Sequence, residues 1–403
     1  MKYMVTKLFS EFFESERTSG IVLLCSAVIA MLAANSPFGA QFLGFWHIDI
    51  GFDLGIVHLR YDLAHWVNDG LMAVFFLLIG LEIERELYVG ELSDTKKASL
   101  PIFAAIGGVI TPALIHYFLN RGLSTQSGFG IPMATDIAFA LGILALLGKK
   151  APLSLKVFLT AFAIIDDLIA ILVIVLFYAS DISLGYLALA GGVFVLLMLL
   201  HWRKVRTLPI YLSLGLLMWY LVLQSGVHAS IAGVLLAFAI PFTDGTTNSP
   251  SYRLQHALHK PVALIVMPIF ALANTGIVLS GGSLANLITP NTLGIFAGLL
   301  LGKPLGITLF SYLASKTRAA SLPDDVSLQS LLGAGFLGGI GFTMSIFITL
   351  LAFGDTELAQ SSKLAVILGS LSAGVIGYIL LYRQATIATK KRERASPQRG
   401  KKP

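Results

Sequence analysis

Charge is scarce in this sequence. Of 403 residues, only 12% are Asp, Glu, Lys or Arg, whereas a soluble domain carries about a quarter. Cysteine is nearly absent as well: Cys25 stands alone, which excludes an intrachain disulfide and leaves the redox compartment open. No hydrophilic stretch is long enough for a nucleotide-driven domain. The segment "GLLLGKP" (298–304) echoes a phosphate loop, but its spacing is short and Pro304 stands where Ser or Thr belongs. A primary pump is therefore excluded. The formal charge of +6 does not point to nucleic acid, because the basic residues sit in short loops and in the segment "KKRERASPQRGKKP".

Apolar residues fill the space that charge leaves. They make up 56% of the chain, and the mean hydropathy is +0.82. Runs of about 20 apolar residues recur along the whole length, and each is long enough to cross a hydrocarbon core about 30 Å thick. The chain reads as an all-α polytopic membrane protein. Gly, Pro and polar punctuation divides it into twelve spans, at 18–36, 62–87, 96–119, 126–147, 152–178, 183–201, 207–222, 226–240, 253–279, 290–313, 327–352 and 358–383. Residues 1–383 form one transmembrane domain, and 384–403 a basic tail expected to be disordered. Glu11, Glu14 and Glu16 precede the first span, which argues against a signal peptide and for a retained helix. In "VTKLFSEFFESER" the residues Leu8, Phe9, Phe12 and Phe13 share a face, as in a short interfacial helix.

Basic residues give an orientation. Of 28 Lys and Arg, 24 fall on the side that holds both ends of the chain, Arg60, Arg121 and Lys363 fall opposite, and Lys303 lies inside span ten. Both termini are expected in the cytoplasm. On the outside, "FWHIDIGFDLGIVHLR" (45–60) alternates β-formers with Gly51, Asp53 and Gly55. It reads either as a small β-hairpin, whose free edge would recruit a second copy, or as an ordinary loop.

Four ionisable residues lie deep inside the spans: Asp136, Asp166, Asp167 and Lys303. Each costs roughly 2.5–3.5 kcal/mol near a helix centre, so a purpose is expected. A structural ion pair would use Lys303 and one aspartate and leave the adjacent acid idle. Two neighbouring carboxylates in a low-dielectric site resist being charged together. One holds a proton until another positive charge arrives, and a small hard cation with a taste for oxygen ligands supplies it. One site that takes either a proton or a cation is the minimum needed for exchange, with Asp166 and Asp167 as the candidate cation ligands.

Two spans look interrupted. Span four carries Pro132 beside Thr135 and Asp136, and span eleven carries five glycines between Gly333 and Gly341. Close packing through small residues is the other reading of the glycines. Each interrupted span is the middle member of a triplet, three to five and ten to twelve, which predicts inverted-topology repeats around a midplane site. Broken helices expose partial positive charge at N-termini and partial negative charge at C-termini; Asp136 suits the first and Lys303 the second.

At "WVNDGLMAVFFLLIGLEIEREL" (66–87), "PMATDIAFALG" (132–142), "AIIDDLIAI" (163–171), "LGKPLGI" (301–307) and "LGGIGFTMSIFI" (337–348) the chain resembles the NhaA-type Na+/H+ antiporters over nearly its full length. The resemblance implies a multi-pass protein of the bacterial inner membrane. It implies electrogenic export of Na+ or Li+ against protons by alternating access, with no cofactor, and a homodimer joined partly through the hairpin. Asp167 then resembles the cation and proton carrier with Asp166 beside it, Thr135 and Asp136 the crossing point, and Lys303 the facing lysine that pairs with Asp166 or carries a second proton. Glu82, Arg85, Glu86, His256, His259 and His228 match positions tied to pH response, although a solvated helix end explains the charged cluster equally well. Gln255 departs from the family, where a glutamate is expected, and predicts an altered pH profile. Lipid is the expected surroundings and nucleic acid is not an expected partner. A proton- or sodium-coupled carrier of a small organic anion is the alternative reading, and it would need a cationic pocket. An intramembrane aspartyl protease fits poorly, since successive aspartates point about 100° apart on a helix.

Overall fold

In hydrocarbon a backbone N–H or C=O has no water to bond, so the apolar runs satisfy their own backbone as helices. The computed structural model describes residues 2–395 apart from 56–57, 180–181, 244–248, 280–286 and 324. The helices are α1 Lys2–Ala34 and α2 Gly39–Trp46, α3 Leu63–Tyr88 and α4 Thr95–Leu119. After a 3-10 segment at Ser124–Met133 come α5 Ile137–Leu146, α6 Leu153–Phe177, α7 Leu184–Trp202, α8 Leu208–Leu223 and α9 Ser230–Ala239. Then follow α10 Pro250–Asn274 and α11 Pro290–Lys316, α12 Leu328–Gly338, α13 Phe342–Phe353 and α14 Glu357–Ala395.

Seven of these helices are long and apolar enough to cross a membrane, or up to ten if each bent pair is one span. The bent pairs include both interrupted spans. The 3-10 segment meets α5 at 41°, and α12 meets α13 at 47°. Two sequence readings are corrected. The segment before residue 18 is continuous with the first span in α1, not a separate helix. The last helix continues to Ala395, so residues 384–395 extend it where a disordered tail was expected; 396–403 lie outside the described residues.

The outer segment is a two-stranded antiparallel sheet, β1 Asp49–Asp53 and β2 His58–Asp62, with Asp49 opposite Asp62 and Asp53 opposite His58. It lies four residues later at its start than a pure alternation count suggests. All five residues of β1 are exposed. Gly51 is required here: its φ is +133°, and a side chain would collide with the Leu59 carbonyl. The His58 hydrogen bond, followed by one from the Gly55 N–H, holds the Asp53 carboxyl below its ordinary range. Trp66 Nε1 donates to Ile50 O at 3.0 Å and fastens the hairpin to the start of α3.

Buried apolar side chains form two clusters. The larger surrounds the broken helices and α4, α6 and α11. The smaller lies among α3, α7, α8 and α9, with Tyr211 and Leu197 fully buried. Each block has a seam where backbones touch. Gly107 of α4 faces Gly306 of α11 so closely that a Cβ on either would meet the other's carbonyl oxygen. In the second block Gly80 of α3 leaves room for Ala237 of α9, where a Cβ would come within 2.5 Å of the alanine methyl.

The seam predicts a contrast. Gly306→Ala should destabilise the purified protein by about 1–3 kcal/mol through overpacking. Gly185→Ala, on α7 with nothing within 4 Å of a built Cβ, should leave the melting temperature in detergent unchanged or slightly raised. Equal melting of the two variants would contradict the seam.

Candidate functional site

The two broken helices cross at their breaks. Pro132 and the extended backbone at Ala134 and Asp136 end the first half-helix, and Gly338–Gly341 separate α12 from α13. Each break answers the other's open backbone groups. The Asp136 N–H donates to Ile340 O at 2.6 Å, and Thr135 Oγ1 donates to Gly338 O at 2.7 Å. Ser345 Oγ reaches Ile131 O at 2.6 Å. From α14, Ser370 Oγ accepts the N–H groups of Gly341 and Phe342 at 3.2 and 3.1 Å. Irregular backbone is tolerated at this depth because protein, not lipid, satisfies it.

Charge is placed to match the exposed helix ends. Asp136 Oδ1 caps α5 by accepting the Phe139 N–H at 3.0 Å. Its Oδ2 accepts the Thr343 N–H at 3.1 Å and the Thr343 hydroxyl. One carboxylate thus serves two half-helix N-termini, where the dipoles favour negative charge. Lys303 does the opposite work. Its Nζ donates to the carbonyl of Met133, the last residue of the 3-10 half-helix, and to both oxygens of Asp166 at 2.7 and 2.8 Å. A π-helical turn at Gly298–Gly302 directly precedes Lys303. Such turns re-aim the residues that follow. Both partners of the pair are fully buried.

Asp167 is different. It is 1% exposed, and neither carboxylate oxygen has a hydrogen-bond partner among the described residues. It borders a cavity of about 60 Å³ shared with Asp136, Thr343, Glu82 and His259, with room for a small ion and a few waters. Among the described residues no three His, Cys, Asp or Glu are grouped to hold a resident metal ion.

Comparison with known proteins follows the same line. The family model described as "Na+/H+ antiporter 1" matches residues 10–381. The chain belongs to the NhaA-type Na+/H+ antiporter family. Relatives named Na(+)/H(+) antiporter NhaA include one from Dechloromonas aromatica, 56% identical over 94% of this chain and 96% of its own. Another, from Cytophaga hutchinsonii, is 54% identical over 94% and 95%. One from Escherichia coli O1:K1 / APEC is 47% identical over 92% and 97%.

In this NhaA-type chain the aspartate pair is split by the helix turn. Asp166 is taken by Lys303 and Asp167 faces the cavity, so of the two expected cation ligands only Asp167 is open. The pH-linked candidates also divide. His259 Nδ1 lies 3.6 Å from Glu82 Oε1, and Arg85 Nη2 donates to Glu86 Oε1 at 3.0 Å. Gln255 is buried, whereas His256 is exposed and stacks on Tyr252. His228 sits apart from this group, with Nε2 donating to Tyr178 O at 2.9 Å. Two residues escaped the sequence reading. Thr343 was hidden in the glycine-rich run. Glu84, 2% exposed, accepts from Ser251 Oγ of α10 at 2.7 Å. Its offset of two from Glu82 turns it to another face of α3, the signal that distinguishes it from the helix-end charges.

Breaking the buried pair tests its role. Lys303→Met leaves the Asp166 carboxylate buried alone and should cost about 3–5 kcal/mol. Adding Asp166→Asn should recover part of that, since Met133 O still lacks its donor. Melting of the two purified variants decides it; no recovery in the double variant would place the damage elsewhere.

Proposed function

We propose that this protein exchanges Na+ or Li+ for protons across the bacterial inner membrane. The observation that carries the reading is the unpartnered Asp167 carboxylate, buried at the end of a cavity where two broken helices cross. A carboxylate in that position is satisfied by a proton or by a small cation, and each displaces the other. Asp136 and Thr343 share the same cavity and would add oxygen ligands. The relatives are named for this exchange, and no cofactor is needed for it. Lys303 is already held by Asp166 and Met133 O, which leaves it unsuited to an organic anion.

The finer picture follows. Up to ten spans are long and apolar enough to cross, and reading the two shorter apolar helices as crossings too supports a count of twelve. Basic residues place both termini in the cytoplasm, which puts Glu82 and His259 at the inner mouth and the hairpin outside. The triplets α4 to α6 and α11 to α14 act as inverted repeats, and alternating access moves the crossing relative to α3 and α10. Asp167 together with the Asp166–Lys303 pair supplies more than one proton-binding group per cation, so exchange is electrogenic. The exposed hairpin joins two copies, with lipid around the rest.

Everted vesicles containing the protein and a lumenal pH dye test the core claim. After respiration acidifies the lumen, added Na+ or Li+ should raise the lumenal pH, and Asp167→Asn should abolish the response while insertion and melting stay normal. A full response from Asp167→Asn would reject the site.

The pH response is assigned to Glu82, Arg85, Glu86 and His259 at the inner mouth, with His256 and His228 as outlying members. At position 255 the buried amide replaces an acid, so the profile should differ from that of relatives with glutamate. Gln255→Glu should displace the acid limb of the activity profile; superimposable profiles would remove residue 255 from the pH response.

A further inference from the structure

His47 follows α2 at the foot of the hairpin and stands between two carboxylates from different parts of the molecule. Its Nδ1 lies 3.2 Å from Asp62 Oδ2 and its Nε2 3.8 Å from Asp355 Oδ2. Asp62 ends β2 and is fixed by its own bond, Oδ1 accepting the His65 N–H at 2.8 Å. Asp355 follows Gly354, which terminates α13. Neutral imidazole has a single N–H and serves one of these acceptors. Imidazolium keeps the Asp62 contact and adds a positive charge that attracts Asp355, whose oxygen at 3.8 Å lies at ion-pair distance rather than hydrogen-bond distance. The arrangement is therefore completed by the protonated ring.

The surrounding charges leave this pairing open. Arg60 faces Asp49 at 3.8 Å, His58 faces Asp53 at 2.8 Å, and His65 faces Asp69 at 3.7 Å, so each neighbouring cation has its own carboxylate. Lys363 of α14 interacts electrostatically with Asp355. Neither α2 nor α13 contributes a charged side chain.

We propose that His47 is a proton-operated clasp that ties the hairpin to the outer end of a broken helix when the medium on the hairpin side turns acid. At its other end α13 begins with Thr343 bonded to Asp136, so the clasp holds one wall of the cation site from twelve residues away. Closing it slows the opening of the site towards the hairpin side and limits proton entry from an acid exterior. The effect on transport rests on the exchange reading above; the clasp itself does not.

Two measurements separate them. In a Cys25→Ser background, spin labels at Gly44→Cys and Glu357→Cys flank the clasp at exposed positions. Their distance distribution should be narrow at pH 6 and broad at pH 8. His47→Gln should give the broad distribution at both values. Identical distributions at the two pH values in the protein carrying His47 overturn the clasp, whatever transport does. In everted vesicles with the outer medium held at pH 8, Na+ uptake at lumenal pH 6 should be about two- to fivefold faster in His47→Gln or Asp355→Asn, the size expected of exposed ion pairs. At lumenal pH 8 the rates should agree, and combining the two substitutions should add nothing. Additive gains, or the same ratio at both pH values, also overturn it. A clasp visible by spin labels in a protein that moves no Na+ would instead sink the exchange reading alone.

Discussion

Away from water, every polar group must find its partner inside the protein, and the crossing of the two broken helices is where this constraint bites hardest. Interrupting a helix at that depth strands N–H and C=O groups that lipid cannot bond. The structure answers with two ionisable side chains of opposite type. Asp136 takes the donor ends and Lys303 takes an acceptor end. Asp166 then balances Lys303. Once these three are committed to one another, Asp167 is the acid left over, without a hydrogen-bond partner among the described residues, and the proposed exchange rests on that.

That assignment explains why adjacent aspartates have unequal roles. They share a helix and a depth, yet one turn of about 100° sends one towards α11 and the other into a cavity. A buried ion pair is weak evidence of added stability, because desolvation opposes the attraction. Here its value lies in position: it anchors α6 to α11 and to the end of the first half-helix at a single ammonium group.

The multi-span helical character was legible in the sequence because a membrane imposes length as well as polarity; most helix limits lie within about five residues of the apolar runs, while the first and last helices extend well beyond theirs. The breaks at Pro132 and at Gly338–Gly341 were equally visible, since both residue types act through the backbone. What escaped depended on direction more than composition. In "GLEIEREL" the offset of two separates the faces of Glu84 and Glu82, but that one meets Ser251 and the other the cavity shows only once the helix is placed among its neighbours. His228 and His259 read alike as histidines tied to pH, yet one meets Tyr178 and the other Glu82. The long-range pairing of His47 with Asp355 is beyond any local pattern, for it joins segments about three hundred residues apart.

The two glycine seams have a mechanical consequence. Where main chain rests on main chain, there are no interlocking side chains to re-register, and sliding would force carbonyl oxygens together. Gly107 against Gly306 fuses one group of helices, and Gly233 of α9, against the Ala73 carbonyl of α3, fuses another. Between the two groups run longer, compliant side chains and the small void beside Asp167. Shear along that boundary would run beside Asp167, the carboxylate proposed to trade its occupant.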